Sequence, residues 1–191
     1  KAENNAAVDH ELDKAEARVD LYDQYVDTVN AIKEHMGDSA DTSKADSIYS
    51  DGDDLLNTAT PDKLESRYND AMAKLEIEEF KAIYGGVTSI PSSGVTPENE
   101  EAINEAIDAL LGLNDQAKQD ANIILAAQKL TELSKEIAKQ QVAAALGEGG
   151  LRDEFSEKLN AEIDALTPEK LDTLVEACDA IAGKAARIDE I

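Results

Sequence analysis

Tryptophan is absent and phenylalanine occurs twice in 191 residues, leaving aromatic residues at 4%. Large rings bury the most area per residue, so the interior has to be assembled from Ala, Leu, Ile and Val. Thin aliphatic seams between helices satisfy that need better than a thick, ring-anchored core. Cysteine is equally scarce: Cys178 stands alone, which excludes an internal disulfide. The two histidines, His10 and His35, fall near opposite ends of one expected helix, about 37 Å apart. They cannot share a site within one chain, and both are expected on the surface. No HExxH, paired cysteine or histidine cluster marks a zinc site. No apolar run approaches the roughly 20 residues that span a bilayer, so membrane insertion is not expected.

Basic residues are outnumbered too, 18 Lys and Arg against 42 Asp and Glu, for a net charge of −24. Such an excess repels phosphate backbones and anionic lipid, which disfavours nucleic-acid binding. Among 42 acids, adjacent carboxylates carry no catalytic information. The acidic run Asp51-Gly52-Asp53-Asp54 fails as a calcium loop. With Gly52 at the sixth position, Ser47, Tyr49 and Thr58 occupy places that need carboxylates. At most a weak cation site remains. Gly85-Gly86 lacks the Lys of a phosphate loop, and no GxSxG occurs. The expectation is no enzyme, no catalytic or metal residues, no cofactor and no small-molecule substrate.

What is abundant is helical spacing. Val8, Leu12, Ala15, Val19, Tyr22, Val26 and Val29 alternate steps of four and three, one apolar stripe on a helix over about 5–36 stopped by Gly37. This stripe is expected to be core. Leu21 and Tyr25 lie off it and are expected to be exposed. They would form a second seam with another helix of the chain or with a partner subunit. A second helix from about Ser43 carries Ala45, Ile48, Tyr49, Leu55 and Leu56, and Gly52 is expected to kink or break it. Thr60-Pro61-Asp62, Thr96-Pro97-Glu98 and Thr167-Pro168-Glu169 repeat one start signal. In each, Thr is a capping residue, Pro fits the first turn and an acid sits in the field of the helix N-terminus.

The third helix would bury Leu64, Tyr68, Met72, Leu75, Phe80 and Ile83, and the fourth, from Pro97 to about Leu111, Ile103, Ile107 and Leu110. A long fifth helix over about 115–146 carries Ala117, Ala121, Ile124, Leu130, Leu133 and Ile137, with Asn114 or Asp115 as cap and Gly147, Gly149 and Gly150 as its stop. A sixth carries Leu151, Phe155, Leu159 and Ile163. The seventh holds Leu171, Leu174, Val175, Cys178, Ile181, Ala185 and Ile188, which makes Cys178 a small buried hydrophobe. No strand pattern appears. The fold class is all-α: an elongated bundle of about seven helices, two of them long, in antiparallel, coiled-coil-like packing. The Gly/Ser/Pro stretch 85–96 is the connector between segments 1–84 and 97–191, which could still pack as one domain. Asn104–Leu110 echoes Asn160–Leu166 and, more loosely, Asn69–Leu75. The intervals are unequal, so chance similarity of Ala/Glu-rich helices competes with duplication.

The stretch 55–64 (LLNTATPDKL) with Tyr68-Asn69-Asp70-Ala71-Met72 resembles the FIVAR-type helical-bundle repeats of Gram-positive cell-surface proteins. There, a helix ends in a short Asn/Ala turn and a Thr-led helix follows. Residues 107–137 are similar to albumin-binding-type modules of the same class. The resemblance implies an extracellular, wall-attached module with no catalytic residues and no binding residue that transfers. The chain starts at Lys1 rather than Met, as a processed protein or an excised fragment would. The function expected is a non-enzymatic stalk, adhesion or surface-layer element of a bacterial surface protein, with a protein partner or self-association. The alternatives are a secreted helical toxin or effector, using 122–127 or 142–146 against membranes, and an intracellular helical scaffold.

Overall fold

A computed structural model describes residues 2–147, 151–167 and 171–189. Among them are seven α-helices and no strand: α1 (Ala2–Met36), α2 (Ser43–Asn57), α3 (Leu64–Thr88), α4 (Glu100–Gly112), α5 (Ala121–Leu146), α6 (Leu151–Ala165) and α7 (Leu171–Asp189). The protein is all-α. The helix stops follow backbone chemistry. Gly37 and Gly147 adopt φ of 93° and 65°, a region favouring glycine. Their N–H groups close onto the carbonyls of Lys33 and Ala143. Thr60 receives the backbone N–H groups of Lys63 and Leu64 at the entry to α3. At the next start, Thr96 donates its N–H to Asn99 Oδ1, 2.9 Å away, ahead of a 3-10 turn over Pro97–Asn99 that leads into α4. Pro168 and Glu169 of the third start signal, and Gly149 and Gly150, lie outside the described residues.

The chain divides into two compact units, 1–85 with 113–120 and 86–112 with 121–191. The first is built on Ala17, Leu21, Ala45, Leu56, Ala71 and Leu75, with Tyr25, Val29, Ile48, Tyr49, Leu64, Tyr68 and Met72 packed around them. Here α1 departs from expectation. Leu21 makes the expected second seam with other helices of the chain, Tyr25 packing beside it, and is fully buried with Ala17, Thr28 and Ile32 rather than exposed, while Val8, Leu12, Val19 and Tyr22, expected in the core, are 50–59% exposed. The reason is shape. A Cβ on Gly52 would sit 2.9 Å from Leu21 Cδ2 and 3.0 Å from Ala71 Cβ. Gly52 and Ala71 thus leave a hollow that only a bulky knob such as Leu21 fills. This corrects the expected kink as well: α2 is continuous, and its glycine permits close approach rather than breaking the helix.

Polar bonds fix the same register. Arg18 grips Asp53 with two bonds, Nε to Oδ1 at 2.6 Å and Nη2 to Oδ2 at 2.9 Å. Tyr25 donates its hydroxyl to Asp46 at 2.7 Å. The fully buried Thr28 donates to Glu79 Oε2 at 2.9 Å. Lys44 of α2 pairs with Glu78 of α3.

The second unit buries Ile103, Ala106, Ile107 and Leu110 of α4. It also buries Ile123, Ala126, Leu130, Leu133, Ile137, Val142 and Leu146 of α5. Leu159 and Ile163 of α6 and Leu171, Leu174, Cys178, Ile181 and Ala185 of α7 complete the interior. The side chain of Ile188 lies outside those described. Two expectations shift here. Helix α3 runs on to Thr88, so the connector begins at Ser89 rather than Gly85. Helix α5 starts at Ala121, because Ala117–Gln119 form a 3-10 turn whose Ala117 N–H is held by Asn114 Oδ1 at 2.8 Å. In that register Ile123 points inward and Ile124 is 45% exposed. Phe155, on the apolar spacing of the sixth helix, is exposed with the Lys158 ammonium 5.8 Å from its ring centroid. Lys135 of α5 donates to the carbonyls of Asp164 and Leu166 at the end of α6, where a cation suits the negative helix terminus.

Candidate functional site

Among the described residues, the outward face of α1 carries four of the exposed large apolar side chains, Val8, Leu12, Val19 and Tyr22. Val8, Leu12, Ala15, Val19 and Tyr22 follow one another in heptad register and are all exposed. Further along, Val26 is half-buried and Val29 packs on the core. A seven-residue repeat on a straight helix drifts about 20° per heptad, so the stripe turns toward the core by its last residue. The residues beside it are acidic. Asp9, Glu16 and Asp23 form one edge, and all are exposed. Glu11 and Arg18 lie on the other, but Glu11 pairs with Lys14 at 2.7 Å and Arg18 is already held by Asp53.

Aromatic packing anchors the end of the stripe. Tyr25 and Tyr49 stack at 4.7 Å between centroids, and Tyr22 meets Tyr49 edge-on at 5.8 Å. The Tyr25 hydroxyl is held above its ordinary pKa, first by donating to Asp46 and then by burial. On the acidic edge, α1 and α3 flank a shallow, open groove of 390 Å³. Asp13, Glu16, Asp20 and Glu65 line it, over Leu64 and Tyr68, and no Lys or Arg does. Burial, and then Asp20, raise the pKa of the Tyr68 phenol.

The two histidines and, in the acidic run of α2, Asp53 are engaged in local bonds. His10, expected to be a free surface residue, holds its Nε2 2.9 Å from the Ala59 carbonyl and ties α1 to the turn before α3. His35 reaches the carbonyl of Ala31 one turn back at 3.2 Å. Asp53 of the acidic run is engaged by Arg18. Among the described residues no group of three His, Cys, Asp or Glu could hold a metal ion. Cys178 is buried beside a cavity of 20 Å³ that Ser134 and Ile137 also line, and desolvation pushes its thiol pKa upward. No described helix is long and apolar enough to cross a membrane.

These features define a class: an all-α protein that carries an exposed, acid-flanked apolar stripe on α1. No family of known sequences, no curated protein and no solved structure matches the chain. Sequence reasoning found the stripe but assigned it to the core. The discriminating signal lay elsewhere, in the small residues Gly52 and Ala71 that receive the opposite face.

Proposed function

We propose that this chain is a non-enzymatic, extracellular helical module of a bacterial surface protein. It acts as a stalk, adhesion or surface-layer element and binds a protein partner through a helix face. The observation that carries the binding role is the exposed row Val8, Leu12, Val19 and Tyr22 on α1. Large apolar side chains aligned in one exposed row are the usual mark of an association surface. The non-enzymatic reading is supported by the occupation of titratable groups in structural bonds: Asp53 by Arg18, Glu79 by Thr28, His10 by a backbone carbonyl. The resemblance of 55–72 to FIVAR-type repeats supports the surface location, and an elongated particle is part of the same reading.

Antibody raised against the chain should label intact cells of the source organism as strongly as permeabilised ones. Labelling that requires permeabilisation overturns the surface reading and favours an intracellular scaffold. A secreted effector is the second reading, favoured by Ile124 and Leu125, 45% and 62% exposed on α5. Liposome leakage separates it: a surface module releases no trapped dye at neutral or acid pH, an effector does.

A further inference from the structure

We infer that the occupant of the α1 stripe is a helix of another protein, apolar at its own heptad core positions and lined with Lys or Arg along its flanks. The inference rests on the binding role proposed above and names the chemistry of the partner. The first argument is period. Steps of four and three from Val8 through Tyr22 give a repeat of 3.5 residues. That repeat keeps a seam facing a second supercoiled helix and serves poorly against a flat surface. In heptad terms Leu12 and Val19 are a positions, and Val8, Ala15 and Tyr22 are d positions.

The second argument is charge. The positions flanking such a seam choose the partner. On one edge they are Asp9, Glu16 and Asp23, all exposed. On the other, Glu11 is a further acid, already paired with Lys14, and Arg18, the one base, is spent on Asp53. A second copy of α1 would set these acids against Glu11 or against one another, and like charges across the seam oppose pairing. A basic flank would instead meet an uncompensated acid at each heptad. The third argument is room. Glu16 belongs to both the edge and the 390 Å³ groove lined by Asp13, Asp20 and Glu65 over Leu64 and Tyr68. A long basic side chain reaching across the edge can lay its methylene stem on the apolar floor and its head among the acids.

The test uses the whole chain and two synthetic four-heptad peptides with Ile at a and Leu at d. One carries Lys at every e and g position, the other Glu. Isothermal titration should show the Lys peptide binding one to one, at least tenfold more weakly at 500 mM than at 50 mM NaCl, and the Glu peptide not binding. Val19→Asp with Leu12→Asp should abolish binding while leaving the circular dichroism melt in place, since both positions are exposed. The double reversal Glu16→Lys with Asp23→Lys should transfer preference to the Glu peptide. Equal binding of both peptides, or of neither, overturns the inference. So does Lys-peptide binding that survives the two Asp substitutions, which would report bulk charge rather than the stripe. A concentration-dependent dimer in sedimentation, abolished by Val19→Asp, overturns it in favour of a second copy. None of these outcomes touches the cell-labelling result, so the partner chemistry and the surface location fail separately.

Discussion

At the scale of single residues, the clearest electrostatic tension sits at Glu79. Its carboxylate accepts the buried Thr28 hydroxyl, yet burial dominates and holds its pKa above the ordinary glutamate value, with Glu76 and Asp27 adding to the rise. A carboxyl whose pKa is higher in the folded than in the unfolded chain binds its proton more tightly when folded. Its contribution to stability therefore falls as pH rises from the unfolded glutamate value through the raised folded value, then stays level. Glu79→Gln keeps an acceptor for Thr28 and removes the charge. Urea unfolding should find this variant more stable than the native chain at pH 7, with the gap closing below pH 4. A gap that widens on acidification would contradict the assignment.

Gly52 poses the opposite problem, one of volume. Alanine would gain about 1 kcal/mol in helix propensity, but its Cβ would press on Leu21 Cδ2 and on Ala71 Cβ at 3.0 Å or less. The Ala71 Cβ is fixed to the backbone and cannot step aside. Overpacking costs about 1–3 kcal/mol, so Gly52→Ala should be destabilising by about 1 kcal/mol in urea melts. Gly86 in α3 supplies the control, because a Cβ there meets nothing within 4 Å. Gly86→Ala should stabilise by about 0.5–1 kcal/mol. If both substitutions stabilised, close packing of α2 would be wrong.

At the scale of helices, α1 carries two apolar faces, and the choice between them is measurable. Leu21→Ala removes a fully buried side chain and should cost about 2–5 kcal/mol. Val19→Ala, on a face 59% exposed, should stay within about 0.5 kcal/mol. Reversed magnitudes would restore the heptad stripe to the core. This pair also marks how much was legible beforehand. Helix existence, the stops at Gly37 and Gly147, the all-α class and the Cys178 stripe followed from local spacing and capping chemistry, which depend on neighbours along the chain. Which face of α1 turns inward depended on Gly52 and Ala71, residues on other helices. A glycine flanked by aspartates reads locally as a break, so the signal was visible but pointed the wrong way. The start of α5 shifted for a similar reason: Asn114 capped a 3-10 turn over Ala117–Gln119 instead of the helix itself. The candidate surface, being a mis-assigned core stripe, was read in full as a pattern and not at all as a surface.

For the molecule as a whole, charge is the quantity that links stability to partner choice. An excess of 42 acids over 18 bases stores self-repulsion in any compact state. Against it stand ion pairs between helices: Arg18 with Asp53, Lys44 with Glu78, Lys139 with Asp164 and Lys184 with Glu162. Salt weakens both terms, so the direction in which the melting temperature moves decides which is larger. Exposed pairs contribute about 0–1 kcal/mol each and pay side-chain entropy to form. The repulsion is summed over many unpaired acids within a Debye length of about 10 Å at 0.1 M salt. Repulsion should win. Raising NaCl from 10 to 500 mM should therefore lift the melting temperature of the free chain by several degrees, at roughly 2–4 °C for each kcal/mol relieved. The same salt should weaken binding of a Lys-flanked helix to α1, because there the acids attract instead of repel. Opposite salt responses, stability rising while affinity falls, are what a surplus of acid held ready for a basic partner requires. A melting temperature that fell with salt would mean that the inter-helix pairs, not the aliphatic seams, hold the helices together.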